Sequence, residues 1–120
     1  MEKLFNLSYF EGFLSGNSKD DREFLKETLE MIIRTNLSIL EIIKENLATK
    51  NYEGVREIAH KYKPTAKTLG NKDLDSIVLN IERFSAQKIN LELLPNLIDE
   101  LEVYFIQANK ELEEELQKIN

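Results

Sequence analysis

The chain has no cysteine, no tryptophan, a single histidine, two prolines and four glycines in 120 residues. Without cysteine there is no disulfide framework and no thiolate chemistry, which fits a reducing compartment. One histidine and no cysteine leave no transition-metal cluster of the usual kind. The glycines, Gly12, Gly16, Gly54 and Gly70, are scattered, so there is no phosphate-cradling loop and no nucleotide site of that type. No apolar run approaches the ~18 residues of a membrane span. No basic stretch followed by an apolar core opens the chain, so no signal peptide is evident. The net charge of −6 lacks the basic excess of a nucleic-acid binder. A cytoplasmic protein without nucleic acid or membrane as partner is the expectation.

What is present is helical. Apolar residues make up 42% and charged residues 32%, enough for one core and many solvated helical faces. The length suits one domain, taken as residues 1–120, and about two-thirds of its unfolded surface can be buried. Residues 4–14 are dense in large apolar groups and form a short helix or an extended arm that must pack on something. Ser18 caps a long helix reaching about Leu47, with Leu25, Leu29, Ile32, Asn36, Leu40, Ile43 and Leu47 as its stripe. Phe24, Thr28, Met31, Ile39 and Ile42 widen that stripe toward a second neighbour. A second helix runs from about Tyr52 to Leu69 and stops at Gly70, and a third, roughly 72–86, carries Leu74, Ile77, Val78, Ile81 and Phe84. The last starts near Leu91–Pro95, with Leu97, Leu101, Tyr104, Phe105, Ala108, Leu112, Leu116 and Ile119 inward and Glu111 and Glu113–Glu115 on a solvated acidic face. Connections are short and no segment alternates with period two. The fold class is therefore all-α: an up-and-down antiparallel four-helix bundle with an additional short N-terminal helix.

The chemistry concentrates in residues 59–70, which hold His60 and Pro64. With Tyr62 at the centre of the buried face, Val55, Ile58, Ala59, Thr65, Ala66 and Leu69 gather round it, and His60 lies roughly 160° away. His60 is thus placed on the polar face, where the plain alternative is a solvated histidine with no role. That position removes it from a Ser-His-Asp triad, which needs a buried, oriented ring. Glu57 and His60 have the i, i+3 spacing of a di-metal bundle, but face outward with no second such pair. An exposed histidine, with an ordinary pKa of ~6.5, offers a neutral ring nitrogen as nucleophile. Arg56, Lys63 and Lys67 share its face at i−4, i+3 and i+7, a cationic row suited to a phosphoryl group. Pro64 cannot donate to the His60 carbonyl, yet Ala66 and Leu69 keep the stripe in register, so a continuous or gently kinked helix is expected.

These residues resemble a known signature. His60-x-Tyr62-Lys63-Pro64 followed by Leu69-Gly70 is similar to the His-x-Leu-Lys-Gly … Leu-Gly pattern of histidine-containing phosphotransfer (HPt) domains. The Leu-Ser-Tyr-Phe segment, the Asn-Tyr-Glu connection, Val55-Arg56-x-x-Ala59-His60 and Ile81-Glu82 agree with that family over essentially residues 4–110. The resemblance implies a monomeric helical bundle that passes a phosphoryl group between receiver-domain aspartates and has no kinase activity of its own. His60 would be the phosphoacceptor and Lys63 the lysine that steadies the phosphoryl group. Glu82 would lie beside the imidazole, and Arg56, Pro64, Lys67 and Glu82 would border the docking site. Implied partners are response-regulator receiver domains and a hybrid sensor histidine kinase; no cofactor is implied beyond Mg²⁺ on the receiver. Met1 and the complete bundle point to a free-standing protein. Pro64 departs from the family's glycine, which keeps open a phosphate-independent adaptor that binds a receiver without carrying phosphate. The helical hairpin of sensor kinases also pairs a histidine with a proline, but at a different spacing. A scaffold bundle with an accidental motif is the blandest alternative.

Overall fold

The computed structural model describes residues 4–7 and 19–119. Four α-helices follow one another: α1 (Lys19–Ala48), α2 (Tyr52–Leu69), α3 (Lys72–Gln87) and α4 (Leu94–Ile119), the last preceded by a 3₁₀ turn over Leu91–Leu93. Each helix packs on the next, and α4 closes the ring against α1. Links as short as Gly70–Asn71 leave each helix no room but to run back along its predecessor. Among the described residues there is no strand. The result is an all-α four-helix bundle, as the periodicity predicts.

The helix ends follow from local chemistry. Asn51 caps α2 by accepting from the Gly54 amide at 3.1 Å, and Asn71 caps α3 by accepting from the Leu74 amide at 2.9 Å. Gly70 ends α2 in the left-handed region at φ 65°, its amide donating to Lys67 O at 3.1 Å. Two constraints demand glycine there: the positive φ, and the N-terminal segment, since a Cβ would stand 2.7 Å from Asn6 Cβ. Pro95 occupies the first turn of α4, where its missing N–H costs nothing.

The core runs down the ring. α2 contributes Val55, Ala59, Tyr62, Ala66 and Leu69; α3 contributes Leu74, Ile77, Val78, Ile81 and Phe84. In α4 the buried row is Leu94, Ile98, Leu101, Phe105, Ala108 and Leu112. Leu94 and Ile98 were not expected inward, whereas Leu97 and Tyr104 are only half-buried. Phe24 and Met31, expected to widen the α1 stripe, are both more than half exposed. Four helices in a ring give α1 two neighbours only along part of its 30 residues.

Three polar residues are buried among the described residues: Ser85, whose hydroxyl donates to Ile81 O at 2.6 Å within α3, and Asn36 and Glu111, which bond to other elements. Asn36, in the predicted apolar stripe, is fully buried but fully partnered: the Tyr62 hydroxyl donates to its Oδ1, and its Nδ2 donates to Asn109 Oδ1 at 2.8 Å. Asn109 Nδ2 then donates to Ile33 O at 3.3 Å. This chain ties α1, α2 and α4 together in the interior. Glu111 was expected on the solvated acidic face and is instead 1% exposed. Its carboxylate accepts from the Leu4 and Phe5 amides, both at 3.1 Å, and from Gln107 Nε2 at 2.8 Å. The reason is the N-terminal segment: Phe5 is buried, and its backbone needs acceptors that no strand or helix supplies. Glu113 and Glu114 do face solvent, while Glu115 is half-buried.

Residues 4–7 are not helical. They form a strap, held by Asn6 N to Leu69 O at 3.0 Å, Asn71 Nδ2 to Leu4 O at 2.7 Å, and Phe5 edge-on to Tyr104 at 6.3 Å. The rest of the expected N-terminal helix, with the Ser18 cap, lies outside the described residues.

Two measurements check this reading. Tyr62→Phe leaves Asn36 Oδ1 buried without its donor and should cost about 1–3 kcal/mol in urea unfolding at unchanged m-value. Glu111→Gln offers the two strap amides one acceptor oxygen in place of two, so amide exchange at Leu4 and Phe5 should accelerate while α2 and α3 keep their protection.

Candidate functional site

Tyr62 sets where the polar face of α2 points. Its ring packs against Phe105 with centroids 5.1 Å apart and its hydroxyl is tied to Asn36, so α2 cannot rotate without breaking both. Burial pushes that hydroxyl's pKa well above the ordinary tyrosine value, and it stays a donor. Two residues before Tyr62, on the opposite side, the His60 side chain is 61% exposed.

The neighbouring helix meets it there. Glu82 rises from α3 between the buried residues Ile81 and Phe84, and its side chain is only 15% exposed. One carboxylate oxygen, Oε2, lies 2.5 Å from His60 Nδ1; the other, Oε1, lies 2.9 Å from Lys63 Nζ. Burial pushes the Glu82 carboxyl up, but hydrogen bonds from Lys63 and His60, and their charges, outweigh it and hold the group below the ordinary glutamate value. Near neutral pH it is therefore a carboxylate, which only accepts hydrogen bonds. His60 Nδ1 must carry the proton and donate. In the neutral ring this assigns the lone pair to Nε2, which has no partner among the described residues.

Sequence reasoning placed a free cationic row along this face, and the structure pairs most of it. Arg56 donates to Glu53 Oε1 from Nε at 3.0 Å and Nη2 at 2.6 Å, which raises the Arg56 pKa and lowers that of Glu53. Lys63 is held by Glu82. Lys67 is exposed and has no ion pair among the described residues. A helical wheel counts charges on one helix; here Glu53 on the same face and Glu82 on the next helix supply the counterions.

Pro64 is exposed inside α2, and the helix runs unbroken through it. The Thr68 hydroxyl donates to Pro64 O at 3.0 Å, a back-bond of the kind that bends helices slightly. Beside it, Lys63, Ala66, Lys67, Asp75, Val78 and Leu79 line a groove of about 200 Å³ between α2 and α3. Its apolar wall was not anticipated. The available signal was Leu79, a leucine 52% exposed that falls outside the α3 stripe, three residues before Glu82. No three His, Asp or Glu side chains among the described residues converge as a metal site requires.

The model of one protein family, the Hpt domain, matches residues 27–120. The chain belongs to the Hpt domain family. Hpt domains serve histidine phosphotransfer in phosphorelays as phosphocarriers, and they interact with the receiver and kinase components of two-component systems. The match spans all four helices of this Hpt domain except the first turns of α1. No individual curated protein and no solved structure matches it. No helix of this Hpt domain, among the described residues, is long and apolar enough to cross a membrane.

The ionised Glu82 has a pH signature. Because its folded pKa is depressed, its contribution to stability is present above the unfolded glutamate pKa of ~4.3 and is lost as pH falls through the lower folded value. The stability advantage of the wild type over Glu82→Gln should therefore shrink steadily on acidification below about pH 5. Paired urea titrations across that range test it; an advantage that does not depend on pH would contradict it.

Proposed function

We propose that His60 is the phosphoacceptor of this Hpt domain and relays a phosphoryl group between receiver-domain aspartates. The observation that carries the reading is the Glu82 carboxylate on Nδ1 of an exposed imidazole, which leaves Nε2 as the available nucleophile. In the transfer, the Nε2 lone pair attacks the phosphorus of an aspartyl phosphate held in line by the receiver. The P–O bond to the aspartate breaks, and its electron pair leaves on the aspartate carboxylate. Nδ1 keeps its proton throughout, so the ring becomes a phosphoimidazolium whose positive charge faces Glu82. The reverse sequence discharges the group onto a second receiver. The receiver provides Mg²⁺ and most of the charge stabilisation. The covalent phosphohistidine divides one transfer between proteins into two.

Lys63 is the electrostatic partner. Its ammonium has three donors and spends one on Glu82 Oε1, leaving others to meet a phosphoryl oxygen. Arg56, Pro64 and Lys67 border the surface that a receiver covers, with the Leu79 groove beside them; Lys67, which makes no ion pair among the described residues, suits an acidic counterpart. The partners on this reading are response-regulator receivers and a hybrid sensor kinase, and the domain acts as a monomer. Pro64 favours one second reading, an adaptor that docks a receiver without accepting phosphate.

Incubation with a panel of phosphorylated receivers from the same source tests both. The expected result is an acid-labile phosphoryl group on the wild type, absent from His60→Gln, and formed about tenfold or more slowly in Lys63→Ala, the scale of one lost charge-assisted hydrogen bond. Wild type and His60→Gln equally unlabelled across the panel would end the relay reading. Retained receiver binding in that case would establish the adaptor.

A further inference from the structure

Pro64 is expensive for α2 and yet sits inside it, on the exposed face. A helix-interior proline removes one backbone hydrogen bond, and the acceptor it orphans here is the carbonyl of His60, four residues earlier. Helical carbonyls point along the axis toward the C-terminus, so this oxygen lies at the surface between His60 and the turn of Lys63 and Pro64. His60, Lys61 and Pro64 are exposed and Lys63 is half-buried. Without its helical donor, and with the Pro64 ring beside it, the carbonyl is left to water for a partner within the same small patch as His60 Nε2. A protein that reaches Nε2 covers that patch and strips the water away.

We propose that the His60 carbonyl, released from the helix by Pro64, is a specificity-determining acceptor that selects receivers able to bring an N–H or O–H donor to it. The proposal rests on the reading of His60 as phosphoacceptor. Its force comes from an asymmetry. A hydrogen bond that replaces one to water contributes little, whereas a buried acceptor left unmet slows or weakens the complex by about 5- to 100-fold. Discrimination arises by penalty against receivers without the donor more than by attraction to those with it. His60 thereby contributes twice to the same surface: its ring accepts the phosphoryl group, and its backbone reads the protein that brings it.

A purely steric role for the proline predicts something different. If the ring only crowds the imidazole, removing it speeds transfer from every receiver by a similar factor. Pro64→Ala separates the two. Alanine restores the N–H that bonds to His60 O and is the best helix former, so the variant folds; the Tyr62 anchor, on the opposite side of α2, is untouched.

The experiment measures kcat/KM for phosphorylation of His60 by each of a panel of receiver domains from the same source, charged with acetyl phosphate, in wild type and Pro64→Ala. The expected result is convergence. The fastest receivers slow about 3- to 10-fold, because their donor loses its acceptor, and the slowest accelerate, because the unmet acceptor is gone. The His60 ring signals in NMR titrations stay the same in the two proteins, which locates the change in docking. An unchanged ratio between fastest and slowest receivers overturns the proposal, whether all rates rise together or none moves. So does a shift of the His60 ring signals that accompanies the rate change. A wild type that no receiver labels is a separate result, and it removes the phosphoacceptor reading itself.

Discussion

The hydrogen bond from Tyr62 to Asn36 is the constraint on which the site depends. A helix packed only by aliphatic side chains can slide or turn by a fraction of a residue at little cost, since dispersion contacts are non-directional. A buried hydroxyl and a buried amide cannot, because each needs its partner at one place. The network from Tyr62 through Asn36 to Asn109 and Ile33 therefore indexes α2 against α1 and α4 together. With α2 indexed, His60 and Lys63 come out beside α3, where one buried-stemmed carboxylate meets both. The polar interior and the polar surface site are two ends of one arrangement.

Glu82 turns that arrangement into chemistry. A carboxylate bridging a cation and an imidazole does three things at once: it fixes the ring's orientation, selects the tautomer and partly neutralises Lys63. On the proposed relay the last of these matters, because a carrier must release as well as accept. A lysine wholly committed to the phosphoryl group would hold it too firmly. One shared with Glu82 redistributes its donors as the charge on the ring changes.

How much of this was legible beforehand depended on whether the information was local. The junction between α2 and α3 was, because Gly70 and Asn71 carry their capping chemistry in a missing and in a short polar side chain. The outward direction of His60 was, because a 3.6-residue period fixes opposite faces. The residues His60, Lys63 and Glu82 could be named from their motif, but their ion pairing could not, since it joins two helices whose relative height only packing decides. Arg56 misled for a simpler reason: its counterion, Glu53, stands three residues away on the same helix and was left out of the cationic row. Glu111 misled most. Nothing in a run of glutamates distinguishes the one that a distant backbone segment will cover, and its partners are 106 and 107 residues away in sequence.

That last contact orders the assembly of the molecule in time. The strap docks on a surface that exists only when the end of α2, the start of α3 and the middle of α4 are already together. Closing a loop of that span before those helices meet would cost entropy with no contact to offset it. The bundle is expected to form first from its neighbouring helices, which are the more local pairings. On that order the strap would seat last and lift first, which makes Leu4 to Leu7 a latch on a finished bundle rather than part of its nucleus.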